Sequence, residues 1–275
     1  MVFILSKLKA RPRVFSRLVG VSVKEFEVIA QKCLPLWDKT KNKKKVSGRP
    51  YGLGVFEMHL LCVLLYYRAY ISQLFLGFLF NVDSACICRS IKRLEPILAQ
   101  VVTIKKDRTL TEEEVTKAIV DCTEQKIQRP GKKQRKYYSG KKKLHTLKTE
   151  IRISDKGKIL SVSNPEPGSK HDFAIYKKQR PLHRNCHIYA DSGYQGLDKK
   201  RSKVSIPIKK PRDRKLTSEE KKYNRDLSSF RVRVENKIRQ LKIFNILSQT
   251  YRNFCKGYKI KMNIIAGIVN LKAGF

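Results

Sequence analysis

Acidic residues are scarce in this chain: 23 Asp and Glu stand against 61 Lys and Arg, a formal net charge of +38. A cationic partner is excluded by that balance, and a polyanion is required, with nucleic acid the default and an acidic membrane surface the other candidate. Long apolar runs are missing too. No stretch reaches the roughly 18 uninterrupted apolar residues of a membrane span, so no membrane span is expected. The opening Met1-Val2-Phe3-Ile4-Leu5 is too short for a signal-peptide core and meets Lys7 and Lys9 at once, which predicts no export. Cysteines number seven, an odd count, and only Cys86 and Cys88 lie close together, without a two-residue spacer. Neither a disulfide framework nor a zinc site fits that spacing. They are expected to be small buried residues of a cytoplasmic, reducing compartment. There is no internal repeat, and low complexity is confined to lysine runs. With 41% hydrophobic residues over 275 positions, wholesale disorder is excluded and one large or two smaller domains are affordable.

What is present begins with helices. Val21, Phe26, Ile29, Ala30 and Cys33 follow one helical face, Ser22 is placed to cap it, and Pro35 marks its expected end. Lys39 to Arg49 is a basic connector, read either as a phosphate-contacting linker or as a solvated charge run. From Val55 to Leu98 three helices are predicted. The first, to Tyr67, is apolar nearly all round, as in a bundle interior. The second covers Ser72 to Phe80. The third covers Ser84 to Leu94, with Ile87, Ile91 and Leu94 on one side and Arg89, Lys92 and Arg93 on others. Two short helices around the break Asn81-Val82-Asp83, the second basic, outline a helix-turn-helix whose second helix enters the major groove. A helical bundle without DNA contacts has the same outline.

Thr111 to Val115 is an acidic break, and a domain boundary is expected there, giving a helical DNA-binding region over 1–110 and an α/β domain over 111–275. In the second part, Ala118-Ile119-Val120 delivers Asp121 at its end, and Ile188-Tyr189-Ala190 delivers Asp191 ahead of a turn with Gly193 and Gly196. Arg129 to Lys143 is a basic loop with Tyr137 and Tyr138 inside it, a composition suited to a nucleic-acid backbone. Strands are expected over 144–153 and 158–163 around Asp155-Lys156-Gly157. A further strand over 204–208 contains Pro207 and therefore belongs at an edge. Asp172 has two readings, a helix N-cap or a neighbour of the site. Residues 218–226 are polar and expected to be helical, a strong helix is expected over 227–247, and a last helix covers 257–271.

On the strong helix Glu235 shares a face with Arg231, Arg239 and Lys242, while Val234, Ile238 and Leu241 form the docking stripe. An ion-pair ladder is one reading of that face. The other joins Glu235 to Asp121 and Asp191. Strand-end carboxylates and one helical carboxylate can converge on two hard cations, and Mg²⁺ takes such oxygen ligands.

Several stretches then resemble a known family: Val120-Asp121-Cys122-Thr123, Tyr138 to Lys148, Pro167-Gly168-Ser169-Lys170-His171-Asp172, Ala190 to Gly196, and Asn224-Arg225 ahead of Arg231 to Glu235 and Leu241-Lys242. In this order they are similar to DDE-type insertion-sequence transposases, in which a helix-turn-helix precedes an RNase H-like catalytic domain. Val55 to Leu98 and Gly48-Arg49-Pro50-Tyr51 resemble the family's amino-terminal part. The resemblance implies an all-α region followed by an RNase H-like mixed sheet with flanking helices. It implies Asp121, Asp191 and Glu235 as the catalytic, metal-binding triad for two Mg²⁺ ions, with Mn²⁺ as a substitute. Arg231 and Lys242 are implied as contacts to the transposon end, and the helix-turn-helix reading above makes Arg89, Lys92 and Arg93 the candidate DNA contacts of the second helix. The expected partner is DNA, at both transposon ends and target, bound by a homo-oligomer, with no small-molecule substrate. Three positions depart from the family pattern: Ser228 in place of a tyrosine, Leu241 with Lys242 following where a lysine is usual, and Cys122 where glycine is usual. Two alternatives stay open: a DNA-binding protein without catalysis, such as a repressor or transposase relic, and a nuclease of the same fold that cuts without joining.

Overall fold

Ser22 and Glu25 start the first long helix by a reciprocal cap. The Glu25 amide donates to Ser22 Oγ at 3.2 Å, and the Ser22 amide donates to Glu25 Oε2 at 2.7 Å, so two amides that begin a helix without partners are satisfied. In the computed structural model, residues 5–42, 51–102, 104, 115–253 and 255–275 are described. The expectations for residues 43–50 of the basic connector, which include Gly48-Arg49-Pro50, and for residues 111–114 of the acidic break lie outside them. The chain divides into two units, the described parts of 1–103 with Leu241–Gln249 and Ile260–Phe275, and those of 104–240 with Thr250–Lys259.

The first unit opens with α1 (Leu5–Lys9), α2 (Pro12–Val19) and α3 (Val23–Asn42). Pro35 does not end α3 as expected. It sits on the exposed side of the helix, and Cys33 and Trp37 are buried around it. Packing outweighs the roughly 3 kcal/mol cost of a helical proline. Next come α4 (Phe56–Ala69), α5 (Gln73–Phe80) and α6 (Ser84–Val101). α4 packs on α2, α3 and α6, which uses its apolar surface on every side. Ser72 caps α5, accepting from the Phe75 amide at 3.1 Å, and Asp83 caps α6, accepting from the Ala85 amide at 3.0 Å. Asn81 takes the left-handed conformation between them at φ 53°. α5 and α6 bend by 102° at this break, within the range of a helix-turn-helix. α6 runs on past Leu94 to Val101 because Ile97 and Leu98 are still buried. Among the described residues no single helix is long and apolar enough to cross a membrane.

The second unit is a mixed sheet with helices. Its elements are β1 (Lys117–Lys126), α7 (Gln134–Tyr137), β2 (Tyr138–Ser139), β3 (Leu144–Ser154), β4 (Ile159–Val162), β5 (Glu166–Pro167), α8 (Asp172–Tyr176), β6 (His187–Ala190) and β7 (Val204–Ser205). The long α9 (Ser218–Lys242) follows in this unit, and α10 (Tyr258–Lys272) belongs for the most part to the first unit. The strand order is β2-β3-β1-β6-β7, with β4 and β5 also paired to β3. β1 runs antiparallel to β3 and parallel to β6, the mixed sheet of an RNase H-like fold. β7 is the edge expected before Pro207. Residues 218–242 form one helix, because the polar first turns are capped by Thr217 and Glu220 and run directly into the docking stripe. Along this helix Leu227 and Val234 are buried, while Phe230 packs on Tyr189 at 4.3 Å between ring centroids. Ala118, Val120, Ile188 and Ala190 fill the opposite face, under Tyr176, Tyr194 and Leu197.

Candidate active site

The parallel pairing of β1 with β6 matches Val120 to Ala190 at its last step, so the next residue on each strand is an aspartate. Asp121 and Asp191 therefore stand side by side by register. Asp121 is not at the end of its strand, however. β3 keeps pairing with β1 out to Lys126, whereas β6 stops at Ala190 and turns away. Asp191 accepts from the Ser192 amide at 2.7 Å and opens a short 3₁₀ turn over Ser192–Tyr194. Asp121 accepts from the Cys122 amide at 2.8 Å.

The charges here are poorly hydrated. Burial pushes the Asp121 carboxyl up from its ordinary 3.8 to about 6. Arg231 and the Cys122 amide pull the other way, and Asp191 and Asp172 add to the rise. Arg231, on α9, reaches Asp191 with Nη1 3.3 Å from Oδ1, and its side chain is 11% exposed. Glu235 is half-buried one helical turn further on. A site of paired carboxylate oxygens, with like charges forced together, fits a hard divalent cation such as Mg²⁺. That ion is usually held by one or two carboxylates, with water and substrate phosphate completing its shell. Among the described residues no three His, Cys, Asp or Glu side chains form a ready-made metal cage.

Asp172 belongs beside this pair. The N-cap of α8 is His171, and Asp172 is its first helical residue, so the capping alternative does not hold. Its carboxylate faces Lys148 of β3 at 3.0 Å, a charge contact, and Lys148 also lies 3.6 Å from Glu124 and donates to the Lys170 carbonyl at 2.9 Å. Burial works against the Lys148 ammonium, but Asp172 and then Glu124 outweigh it and hold its pKa above the ordinary range. A Cβ on Gly193 would stand 2.6 Å from Asp172 Oδ2. Only a glycine lets the turn after Asp191 come this close. Gly196, at φ 90°, closes the same turn in a conformation that L side chains rarely adopt.

Beneath the turn lies a buried polar chain. Arg152 Nε donates to Glu150 Oε1 at 2.9 Å, Tyr194 Oη donates to Glu150 Oε2 at 3.4 Å, and Cys122 Sγ lies 3.2 Å from Tyr194 Oη. Glu150 and Arg152 are each 1% exposed. Arg152 also donates to the Arg180 carbonyl at 2.6 Å and lies over the Tyr176 ring. Burial raises the Glu150 carboxyl, and Arg152 opposes it. Sequence reading assigned no role to Glu150 or Arg152, yet a signal was available. Glu150 and Arg152 alternate with Ile151 and Ile153, so the two charged residues point to the same face of the strand and serve each other there.

The remaining implied residues are spread out. On α6, Arg89 and Lys92 are exposed, while Arg93 is half-buried with its guanidinium 4.3 Å from the Tyr51 ring centroid and 5.8 Å from that of Trp37. Lys242 is half-buried at the end of α9. All seven cysteines are free; Cys33, Cys62 and Cys186 are buried and the other four are half-buried.

Comparison with known proteins agrees with both parts of the chain. Residues 120–271 match the family of the DDE superfamily endonuclease, and residues 53–104 match the helix-turn-helix of DDE superfamily endonuclease. The chain is 35% identical over 263 residues to a protein of Microchaete diplosiphon named "Probable transposase for insertion sequence element IS702", covering 94% of each. No solved structure matches it. An RNase H-like sheet with two adjacent aspartates, a bent helix pair ahead of it and these two family matches together make the chain a member of the DDE-superfamily transposases.

Proposed function

We propose that this protein cuts the ends of its element and joins them to target DNA, with Asp121, Asp191 and Glu235 as the metal-binding catalytic residues. The observation that carries this reading is the β1–β6 register, with Val120 opposite Ala190, beside Arg231 at 3.3 Å from Asp191. Residues four apart share a helical face, so the contact made by Arg231 turns the face bearing Glu235 in the same direction. Two Mg²⁺ ions, or Mn²⁺ in their place, would be held by the three carboxylates and would supply activation of the attacking oxygen and stabilisation of the leaving one.

The chain's own groups do the rest. Asp121, with its pKa near 6, is ionised at neutral pH and ready to ligate. Arg231 counters the acidic pair and offers a planar fork to a phosphate oxygen. Lys148 fixes Asp172 behind the Asp191 turn. In the helical region of 1–110, Arg89 and Lys92 present charge to a groove, and Arg93, stacked on Tyr51, is held in one orientation for a base or phosphate. Lys242 adds a backbone contact, and two copies bridge a pair of ends. Water attacks first and leaves a 3′ hydroxyl, which then attacks the target strand, so no covalent protein–DNA bond is needed.

Glu235→Gln tests this. It should abolish Mg²⁺-dependent nicking of an end duplex while end binding stays within about twofold. Retained nicking would overturn the triad. A wild-type protein that binds ends but never nicks them would instead favour a DNA-binding role without catalysis, and nicking without joining of pre-cleaved ends would favour a nuclease.

A further inference from the structure

A second feature lies next to the turn after Asp191. α8, the loop that follows it and residues 197–202 line a half-open cavity of about 830 Å³. Its lining contains Lys177, Arg180, Arg184 and Lys200 and no carboxylate. The floor is aromatic. Phe173 stacks with Tyr176 at 6.5 Å and 26°, and Gly196 lies at its edge, where an ideal Cβ on the glycine would stand 3.4 Å from the ring. Over the Phe173 ring stand two ammonium groups, Lys177 at 4.9 Å and Lys200 at 6.0 Å from the centroid.

The wall of this cavity is fastened. Arg201 donates to the carbonyls of Leu182 and Cys186 at 2.8 Å each and to that of His183. Arg152 holds the Arg180 carbonyl from the sheet side at 2.6 Å. Two guanidiniums thus fix a loop that sequence composition alone would leave free.

We propose that this cavity binds one unpaired nucleotide of the DNA strand being processed, with its base on Phe173 and its phosphates between Lys177 and Lys200. The proposal rests on the end-cutting reading above. Size is the first argument: cavities of about 300–1,000 Å³ hold a small ligand, so a nucleotide fits and a duplex does not. Chemistry is the second. An aromatic face flanked by cations is the arrangement that takes single-stranded nucleic acid without regard to sequence. Position is the third. Phe173 follows Asp172, whose carboxylate packs against Gly193, so the cavity and the carboxylate cluster share α8 as a common wall. A base unpaired next to the cut bond therefore has a place to go.

The test uses the full chain and an end duplex carrying 5-iododeoxyuridine at each position in turn near the cut, cross-linked by light and mapped by peptide. One position should cross-link within residues 172–177, and the link should be lost in Phe173→Ala and kept in Phe173→Tyr. Phe173→Ala should weaken end binding about 5- to 150-fold, the range of one lost stacked base. A second variant, Lys177→Glu with Lys200→Glu, alters exposed side chains only and does not depend on the folding of Phe173→Ala. It should lower the slope of log affinity against log salt by about 2. Nicking of unmodified ends, with no cross-link anywhere in 172–201 and an unchanged salt slope, would overturn the pocket and leave the cutting reading intact. Cross-links to Phe173 from a protein that never nicks would support the pocket and overturn the cutting reading. Neither nicking nor cross-links would overturn both.

Discussion

Replacing Arg152 with methionine would leave Glu150 buried without its cation. Both side chains are 1% exposed and 2.9 Å apart, so neither has water to fall back on. Removing one member of such a pair costs about 3–5 kcal/mol, because the survivor is an uncompensated charge. Tyr194 at 3.4 Å is a long hydrogen bond and offsets little of this. The loss should depend on pH, with a definite sign. Glu150 already has a raised pKa in the folded protein, and without Arg152 it rises further. A carboxyl raised in the folded state gives stability that is fully present below its unfolded pKa and lost as pH rises through its folded value. Arg152→Met should therefore be hurt most at pH 8 and least near pH 5. Native-state hydrogen exchange at the β1 and β3 amides reads the local free energy. The double variant Glu150→Gln with Arg152→Met should recover at least half of the loss at pH 8, since no buried charge remains. A loss under about 1 kcal/mol at pH 8, or an equal loss at pH 5 and pH 8, would refute the reasoning.

Two further substitutions probe the site. Asp121→Asn should raise the melting temperature in EDTA at pH 8 by the equivalent of about 1–3 kcal/mol, since the rise from 3.8 to about 6 makes the charged form unfavourable. That gain should shrink as pH falls through about 6 and vanish only below about pH 3, where the carboxyl is protonated in folded and unfolded states alike, and nicking should be lost; a less stable variant at pH 8 would contradict this. Gly193→Ala should cut the nicking rate at least tenfold with end affinity unchanged, because its Cβ would meet Asp172 at 2.6 Å and push the Asp191 turn away; an unaltered rate would show that the close approach is not needed.

Periodicity foretold the helices where packing and local chemistry agreed. The cap at Ser22, the apolar α4 and the break at Asn81 all follow from side chains acting within a few residues. It failed at Pro35 and at Leu94, where a local stop signal was outweighed by residues buried further along the same helix, Trp37 in one case and Ile97 with Leu98 in the other. Asp172 could be read as a cap because aspartate at a helix start commonly is one. Its actual partner, Lys148, is distant in sequence and arrives through the sheet.

By itself the sequence determined the charge, and hence a polyanionic partner, the order of helical and strand segments, and which acids were candidates for metal. Those properties depend on composition and short-range pattern. Tertiary structure decided which acids meet. The parallel register of β1 and β6 sets Asp121 beside Asp191, and no local pattern encodes a register between strands separated by four other strands and two helices. It also decided that Glu150 and Arg152 are buried together, and that Phe173, Lys177 and Lys200 share one cavity. Each of these results from long-range closure, in which a side chain's environment is supplied by chain far away in sequence.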